Sequence, residues 1–359
     1  MAEDRGGNAR GVGRRVPLIL PSTAAPAGGD APGPRQDVSL LAEALEGRVV
    51  SPLRGDALGG AEARAAFDLR QALAAARDRG AAAYVSLSER VGLPLALLLR
   101  RRRAGAPPHI LVAHRLSSRA KRLLHRRTGV LRDFARVVVL CRAQEQFALE
   151  RAGLSPERVQ RMWDAVDTAW WRPDPQTDGA AEPGLVVSVG RERRDYAALT
   201  EALRALPAAR GVIVAGSPWS RGRDPLNRGE LPPNVARLSG LSADALRSLY
   251  ARAHVVALPL QAETDYAAGA NALLEAAAQG KSVVATRTNG LAEYLEGFPG
   301  ITVCPAGAEA LGEALARRLA ESPTLCAEAR CQAEGRHSLE VYVETLARLV
   351  REAMAEPQR

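Results

Sequence analysis

The 359-residue sequence is poor in aromatic residues, in cysteine and in lysine. Aromatics make up only 4% of it, too few for the stacked platforms that hold single-stranded nucleic acid. Its four cysteines, Cys141, Cys304, Cys326 and Cys331, form no C-x-x-C pair and match no zinc-site spacing. A chain this long buries enough core to need no disulfide staples, so a reducing compartment fits. No apolar run approaches the roughly 20 residues that span a bilayer. The longest, Leu93–Leu99, stops at Arg100–Arg103. The opening stretch, MAEDRGGNARGVGRR, lacks the apolar centre of a signal peptide. These absences predict a cytoplasmic protein and argue against secretion, a membrane span and a zinc module. The phosphate loop G-x-x-x-x-G-K-[ST], the elbow G-x-S-x-G and the zinc signature H-E-x-x-H are also missing. No D-x-D occurs, the nearest approach being Glu263-Thr264-Asp265, so no metal is expected in the mechanism.

What the sequence does have is arginine. Formal net charge is +9, and all but two of the 49 basic residues are arginine, the exceptions being Lys121 and Lys281. The excess sits in one half. Residues 1–178 hold 29 basic and 19 acidic residues, and residues 179–359 hold 20 and 21. Within the first half, residues 100–127 carry Arg100–Arg103, Arg115, Arg119, Lys121, Arg122, Arg126 and Arg127 and no acid. Such a band is either a solvated helix face or a surface for an anionic acceptor or an acidic membrane. No nucleic-acid-binding motif accompanies it, and no nucleic-acid partner is expected.

Apolar runs alternate with helical patterns along the chain. The first half reads as strand Val16–Leu20, a Gly- and Pro-rich loop, a helix capped by Asp37 and running to Glu46, and strand Val49–Val50. Helix 61–78, strand Ala82–Leu87, helix Leu93–Arg103, strand His109–Ala113, helix Ser118–Arg126, strand Arg136–Leu140 and helix Gln144–Ala152 follow. The second half gives strands Leu185–Val189, Gly211–Ala215, Val235–Leu238, Val255–Leu258, Ser282–Ala285 and Ile301–Val303 with helices between them, then a last helix over Leu339–Ala353 that could pack on either half. Such interleaving predicts an α/β protein of two Rossmann-like, doubly wound domains facing across a cleft. The boundaries read as a disordered 1–14, a first domain over 15–171, a linker over 172–184 rich in proline and glycine, a second domain over 185–335, and a C-terminal helical segment over 336–359.

Functional residues are expected in loops after strands. Gly190, Arg191 and Arg194 follow the first strand of the second domain, where guanidiniums and free amides suit a diphosphate or simply meet solvent. Gly269, Asn271 and Glu275 belong to a helical stretch otherwise apolar. A carboxylate there needs a partner, either two ribose hydroxyls or an internal salt bridge. In Thr288-Asn289-Gly290-Leu291-Ala292-Glu293, Thr288 or Asn289 can cap a helix and Gly290 can admit a ligand to its amides. In the first domain, His114 closes the strand His109–Ala113, and Gly28 and Gly29 lie in the loop after the first strand.

In its order of motifs the second half resembles the nucleotide-sugar domain of GT-B glycosyltransferases of the retaining group 1 type. The stretches are VGRERRDYAALTEAL, GVIVAGS, ALRSLYARAHVVALPL, AGANALLEAAAQGKSVVATRTNGLAEYLEG and ITVCPAGAEALGEALARRLAE, over about residues 185–322. The hinge MWDAVDTAWWRP is similar to the family's, and the first half is more divergent. The resemblance implies diphosphate binding by Arg191 and Arg194, and ribose binding by Glu275. It puts Asn289, Gly290 and Glu293 on a donor loop, and His114 toward the acceptor and the moving sugar. Arg194 stands where lysine is usual and keeps the charge. Ala267 stands where the family has a glutamate that commonly contacts the donor sugar. Glu263, Asp265 or the amides of Gly269–Asn271 are the local substitutes.

The expected activity is transfer of a sugar from a nucleotide-diphospho-sugar, a co-substrate, to a hydroxyl acceptor, with retention and without metal or resident cofactor. His114, Arg191 and Arg194 are the expected catalytic residues. The basic band beside His114 suggests an anionic or lipid-linked acceptor and peripheral contact with the inner membrane face. The alternatives are a sugar-nucleotide epimerase, or a non-catalytic relative that binds the nucleotide sugar.

Overall fold

The computed structural model describes residues 14–22, 33–53, 62, 67–101, 106–174, 180–215 and 231–357. Gly28, Gly29, Arg102 and Arg103, the stretch 1–13 and part of the proposed linker fall outside them. The first half contributes β1 (Val16–Leu20), α1 (Asp37–Ala44), β2 (Arg48–Val49), α2 (Leu69–Arg77), β3 (Ala81–Ser86), α3 (Glu89–Leu99), β4 (His109–Ala113), α4 (Arg119–Thr128), β5 (Arg136–Val139), α5 (Arg142–Gln146) and β6 (Val159–Arg161). The second contributes β7 (Leu185–Val189), α6 (Tyr196–Arg204), β8 (Arg210–Val214), β9 (Val235–Leu238), α7 (Ala243–Arg252), β10 (Val255–Leu258), α8 (Ala270–Ala278), β11 (Val283–Thr286), α9 (Ala292–Leu295), β12 (Ile301–Cys304), α10 (Ala308–Leu319), α11 (Ala327–His337) and α12 (Leu339–Ala355).

These strands form two six-stranded sheets, ordered β2-β1-β3-β4-β5-β6 and β12-β11-β10-β7-β8-β9. Every pairing in both is parallel. Helices cover both faces of such sheets, which is why β4 and β7 are near-continuous apolar runs, buried along their length. The order of strands reverses between β1 and β3 in one sheet and between β7 and β10 in the other. Ligands settle outside the carboxyl ends of strands at these points. The second sheet therefore aims its crevice at the loops after β7 and β10, and the first aims at the loops after β1 and β3.

Local chemistry explains several boundaries. Helix α3 starts four residues earlier than its apolar pattern predicts, because the Ser88 hydroxyl accepts from the Arg90 amide. Pro94 lies inside it, and the Arg90 carbonyl that proline leaves unbonded accepts instead from the Asp68 amide at 2.9 Å. Asp37 is not the cap of α1 but its first residue, with Gln36 at the cap position. A carboxylate at that place faces the positive end of the helix. Strand β6 and helix α11 have no counterpart in the sequence reading. One is short and polar, and the other has few apolar positions to set a period.

The two halves are joined twice. Val166 donates to the His337 carbonyl (2.8 Å) and accepts from the Leu339 amide (3.2 Å), so the outgoing and returning strands of the chain bond to each other. Beyond this joint, α12 crosses back and packs on α1. Its stripe of Tyr342, Val343, Leu346, Ala347, Leu349, Val350 and Ala353 joins the core under β1, β3 and β4.

Candidate functional site

The loop after β7 is zipped to the loop after β10. Asp195 donates its amide to Pro259 O (2.8 Å), Gln261 donates to Arg193 O (3.0 Å), and Arg194 bridges Leu260. This turn carries the Arg194 side chain inward, to 5% exposure. Its Nε and Nη2 donate to Val189 O at 3.1 and 2.8 Å, and Nη1 donates to Glu192 O at 3.1 Å. Gly190 (φ 105°) makes room for it, since a β-carbon there would lie 2.8 Å from Nη2. On the other side, Nη1 lies against Gly269, which caps α8. The guanidinium is thereby wedged between the end of β7 and the start of α8, the reversal point of the sheet. Arg191 is half-buried beside it.

The start of α8 supplies the matching donors. Among the described residues nothing accepts from the amides of Gly269, Asn271 and Ala272. Unbonded amides at the positive end of a helix attract an anion. One turn on, Glu275 accepts from the Tyr250 hydroxyl at 2.9 Å. Burial pushes the Glu275 carboxyl up to about 7, against the opposing pull of the Tyr250 hydrogen bond and the Arg194 charge. Its partner is thus a phenol, with Arg194 acting at longer range, and not an internal salt bridge.

The third loop departs from the sequence reading. Neither Thr288 nor Asn289 caps α9: Leu291 holds the cap position with no side-chain cap bond, and the Thr288 hydroxyl accepts from the Leu291 amide at 3.3 Å in the turn before the helix. Asn289 is exposed and lines a 520 Å³ cleft with Ala262, Arg287 and Cys304. Gly290 does not open its amide to a ligand. Its N–H donates to Thr264 O at 3.0 Å, and a β-carbon would lie 2.0 Å from Tyr266 O, so the glycine serves backbone packing. Glu293 does not face the donor crevice either. Its carboxylate accepts from the Arg142 amide at 2.5 Å and pairs with Arg161, both in the first domain. Beside it, the Tyr294 hydroxyl donates to Leu140 O (2.7 Å) and accepts from the Asp164 amide (2.8 Å). These two residues tie the domains together.

The segment 264–267 forms a further contact across the cleft. Gln144 donates to Asp265 O at 2.7 Å, and the Arg115 guanidinium sits 4.7 Å over the Tyr266 ring. Ala267 packs on apolar clusters of both domains. Of the nearby carboxylates, Glu263 is 3.4 Å from Arg193, and Asp265 is 3.9 Å from Arg115.

On the first-domain wall, His114 is exposed at the end of β4, with Nε2 3.1 Å from Leu87 O. Three carboxylates that the sequence does not assign to the site act on it: Asp37, Glu89 and Asp164. Glu89 is buried, yet Lys121 at 2.9 Å, His114 and the Arg115 amide outweigh that burial and bring it down to about 2. Burial pushes the Asp37 and Asp164 carboxyls up. They come from the start of α1, the start of α3 and the joint, segments far apart in sequence. Asp37 opens α1 and Glu89 directly follows the Ser88 cap, but neither position by itself points to His114. Among the described residues, no group of three His, Cys, Asp or Glu is placed to hold a metal ion, and no helix is long and apolar enough to cross a membrane.

Residues 183–321 match the family of glycosyl transferases group 1. No curated protein matches the sequence. Several solved structures share the fold. Sucrose-phosphate synthase from Thermosynechococcus elongatus aligns with a TM-score of 0.73 at 17% identity, over 95% of this chain and 100% of that one. Anabaena HepE in complex with UDP-glucose gives 0.70 at 17%, over 95% and 99%. WaaG, a glycosyltransferase involved in lipopolysaccharide biosynthesis, gives 0.60 at 19%, over 93% and 99%.

Proposed function

From a chain with the two-sheet GT-B fold and a glycosyl transferases group 1 domain at residues 183–321, we propose a glycosyltransferase that takes its sugar from a nucleotide diphosphate. The observation that carries the donor reading is the wedge at the reversal point. A buried guanidinium and three unbonded amides converge where β7 and α8 meet. Such a group of donors suits a diphosphate, with Glu275 one turn away to accept from ribose hydroxyls. HepE was solved with UDP-glucose, which makes uridine diphosphate the first nucleotide to try.

In the reaction, the bond from the anomeric carbon to the diphosphate breaks and its electron pair goes to the phosphate oxygen. An acceptor hydroxyl forms the new bond on the face it left, and its proton passes to the departing diphosphate. The sugar is oxocarbenium-like in between. Arg191, Arg194 and the α8 amides oppose the charge that grows on the leaving group, in this reading without a metal. His114 and its three carboxylates form the acceptor wall. Contact across the cleft at residues 264–267 limits loss of the donor to water.

The test is calorimetric titration with UDP, GDP and ADP, each also as its glucose ester, followed by turnover with an acceptor panel. Binding that Arg191→Ala weakens without altering the melting of the free protein supports the site. Binding indifferent to Arg191 overturns it. Ala267 favours a second reading, a nucleotide-sugar-binding protein without transferase activity. It predicts tight donor binding with neither transfer nor hydrolysis for any acceptor tried.

A further inference from the structure

The ten basic residues of the band are not alike. Arg100 pairs with Asp133 at 2.6 Å, Lys121 with Glu89 at 2.9 Å, and Arg115 lies 3.9 Å from Asp265. Arg102 and Arg103 lie outside the described residues. Arg101, Arg119, Arg122, Arg126 and Arg127 are exposed, and no described carboxylate pairs with them. Elsewhere arginines are commonly matched, as Arg35, Arg90, Arg136, Arg161 and Arg252 illustrate. Arg119, Arg122 and Arg126 fall on one face of α4, with Leu123 among them at 49% exposure.

The opposite face of α4 is fixed. Leu124 packs on the core beneath, and His125 is buried, with Nε2 2.9 Å from Ala152 O and Nδ1 accepting from the Leu131 amide at 3.2 Å. Glu89 and Asp133 are already neutralised by Lys121 and Arg100. The arginine face is a rigid, uncompensated shelf starting just past the carboxyl end of β4.

We propose that this face of α4 docks the protein on an acidic lipid bilayer. A convex helix face cannot surround a single small anion, but it meets a plane of them along its length. The exposed Leu123 amid the arginines suits an interface with an apolar layer beneath its charged surface. Each arginine near such a surface contributes about a 5-fold gain in partitioning. Docking by this face is independent of sugar transfer, and binding alone reads it out.

Sedimentation is measured with vesicles of pure phosphatidylcholine and of phosphatidylcholine with 30% phosphatidylglycerol. Binding is expected to the acidic vesicles only, and to weaken with salt. Arg122→Gln with Arg126→Gln is expected to lower it about 25-fold. Arg204→Gln with Arg348→Gln removes equal charge from other faces and is expected to leave it intact. All four side chains are exposed, so circular dichroism of the variants should not change. Equal binding to both vesicles, equal loss from both double variants, or tighter binding to duplex DNA than to acidic vesicles would each overturn the proposal.

Discussion

Glu275 carries a conflict between stability and function that can be measured. Its carboxyl is pushed from 4.5 up to about 7 in the folded protein, chiefly by burial. A carboxyl whose folded pKa lies above its unfolded one binds more protons when folded. Stability therefore falls as pH rises through the window from 4.5 to about 7. At about 1.4 kcal/mol per unit, the ionised carboxylate costs the unliganded protein on the order of 3 kcal/mol above pH 7. Glu275→Gln removes this cost, and the Tyr250 hydroxyl still has a carbonyl oxygen to bond. The variant should melt higher than the wild type at pH 8, by about 3–6 °C in the transition of the second domain. The gain should shrink toward zero near pH 5. The same change should weaken UDP binding about 10- to 100-fold, because charge-assisted hydrogen bonds to the ribose become neutral ones. Differential scanning calorimetry across pH, with titration calorimetry at pH 8, gives both numbers. A variant that melts lower at pH 8, or a difference constant with pH, would refute the assignment of a strained carboxylate. Unchanged UDP affinity would refute its role at the ribose.

Arg191→Ala should weaken UDP binding about 30-fold, the loss of one charge-assisted contact of about 2 kcal/mol, read by titration calorimetry. Tyr250→Phe should move the pH at which UDP binding fades upward by about one unit, since it removes a hydrogen bond that favours the carboxylate. Gly290→Ala should cost about 3 kcal/mol in denaturant unfolding, the upper range for overpacking, because the new carbon meets backbone, not a flexible side chain. Arg161→Met should loosen the tie to Glu293, seen as a larger radius of gyration by small-angle scattering and faster tryptic cleavage between the domains.

Elements that could be read from the sequence were those with a strong period or an uninterrupted apolar run. Strands His109–Ala113 and Leu185–Val189 fall where their buried residues put them. Strand β6 escaped because Val159-Gln160-Arg161 has a single apolar residue, and pairing along β5, not composition, makes it a strand. At the site, spacing drew attention to Arg194 and Glu275, but their partners came from elsewhere. Val189 O and the Tyr250 hydroxyl hold them. Gly290 and Glu293 looked like ligand contacts because both roles use the same residue types. The backbone of Tyr266 and the side chain of Arg161, which occupy them, are known only once the chain is folded. The grouping of Asp37, Glu89 and Asp164 around His114 is invisible in sequence for the same reason.

The joint at Val166 and Ser338 has a consequence for how the molecule is built. Because α12 returns to the first sheet, β1 and the C-terminal helix ride on one body, and Arg351 reaches back to Ala44 O at 2.6 Å. The nucleotide-sugar lobe is then a cassette whose two chain crossings share one two-stranded seam. Labels on β1 and on α12 report the same body. An exchanged lobe with another donor preference would have to keep Tyr294, because its hydroxyl accepts from the amide of Asp164 on the acceptor wall.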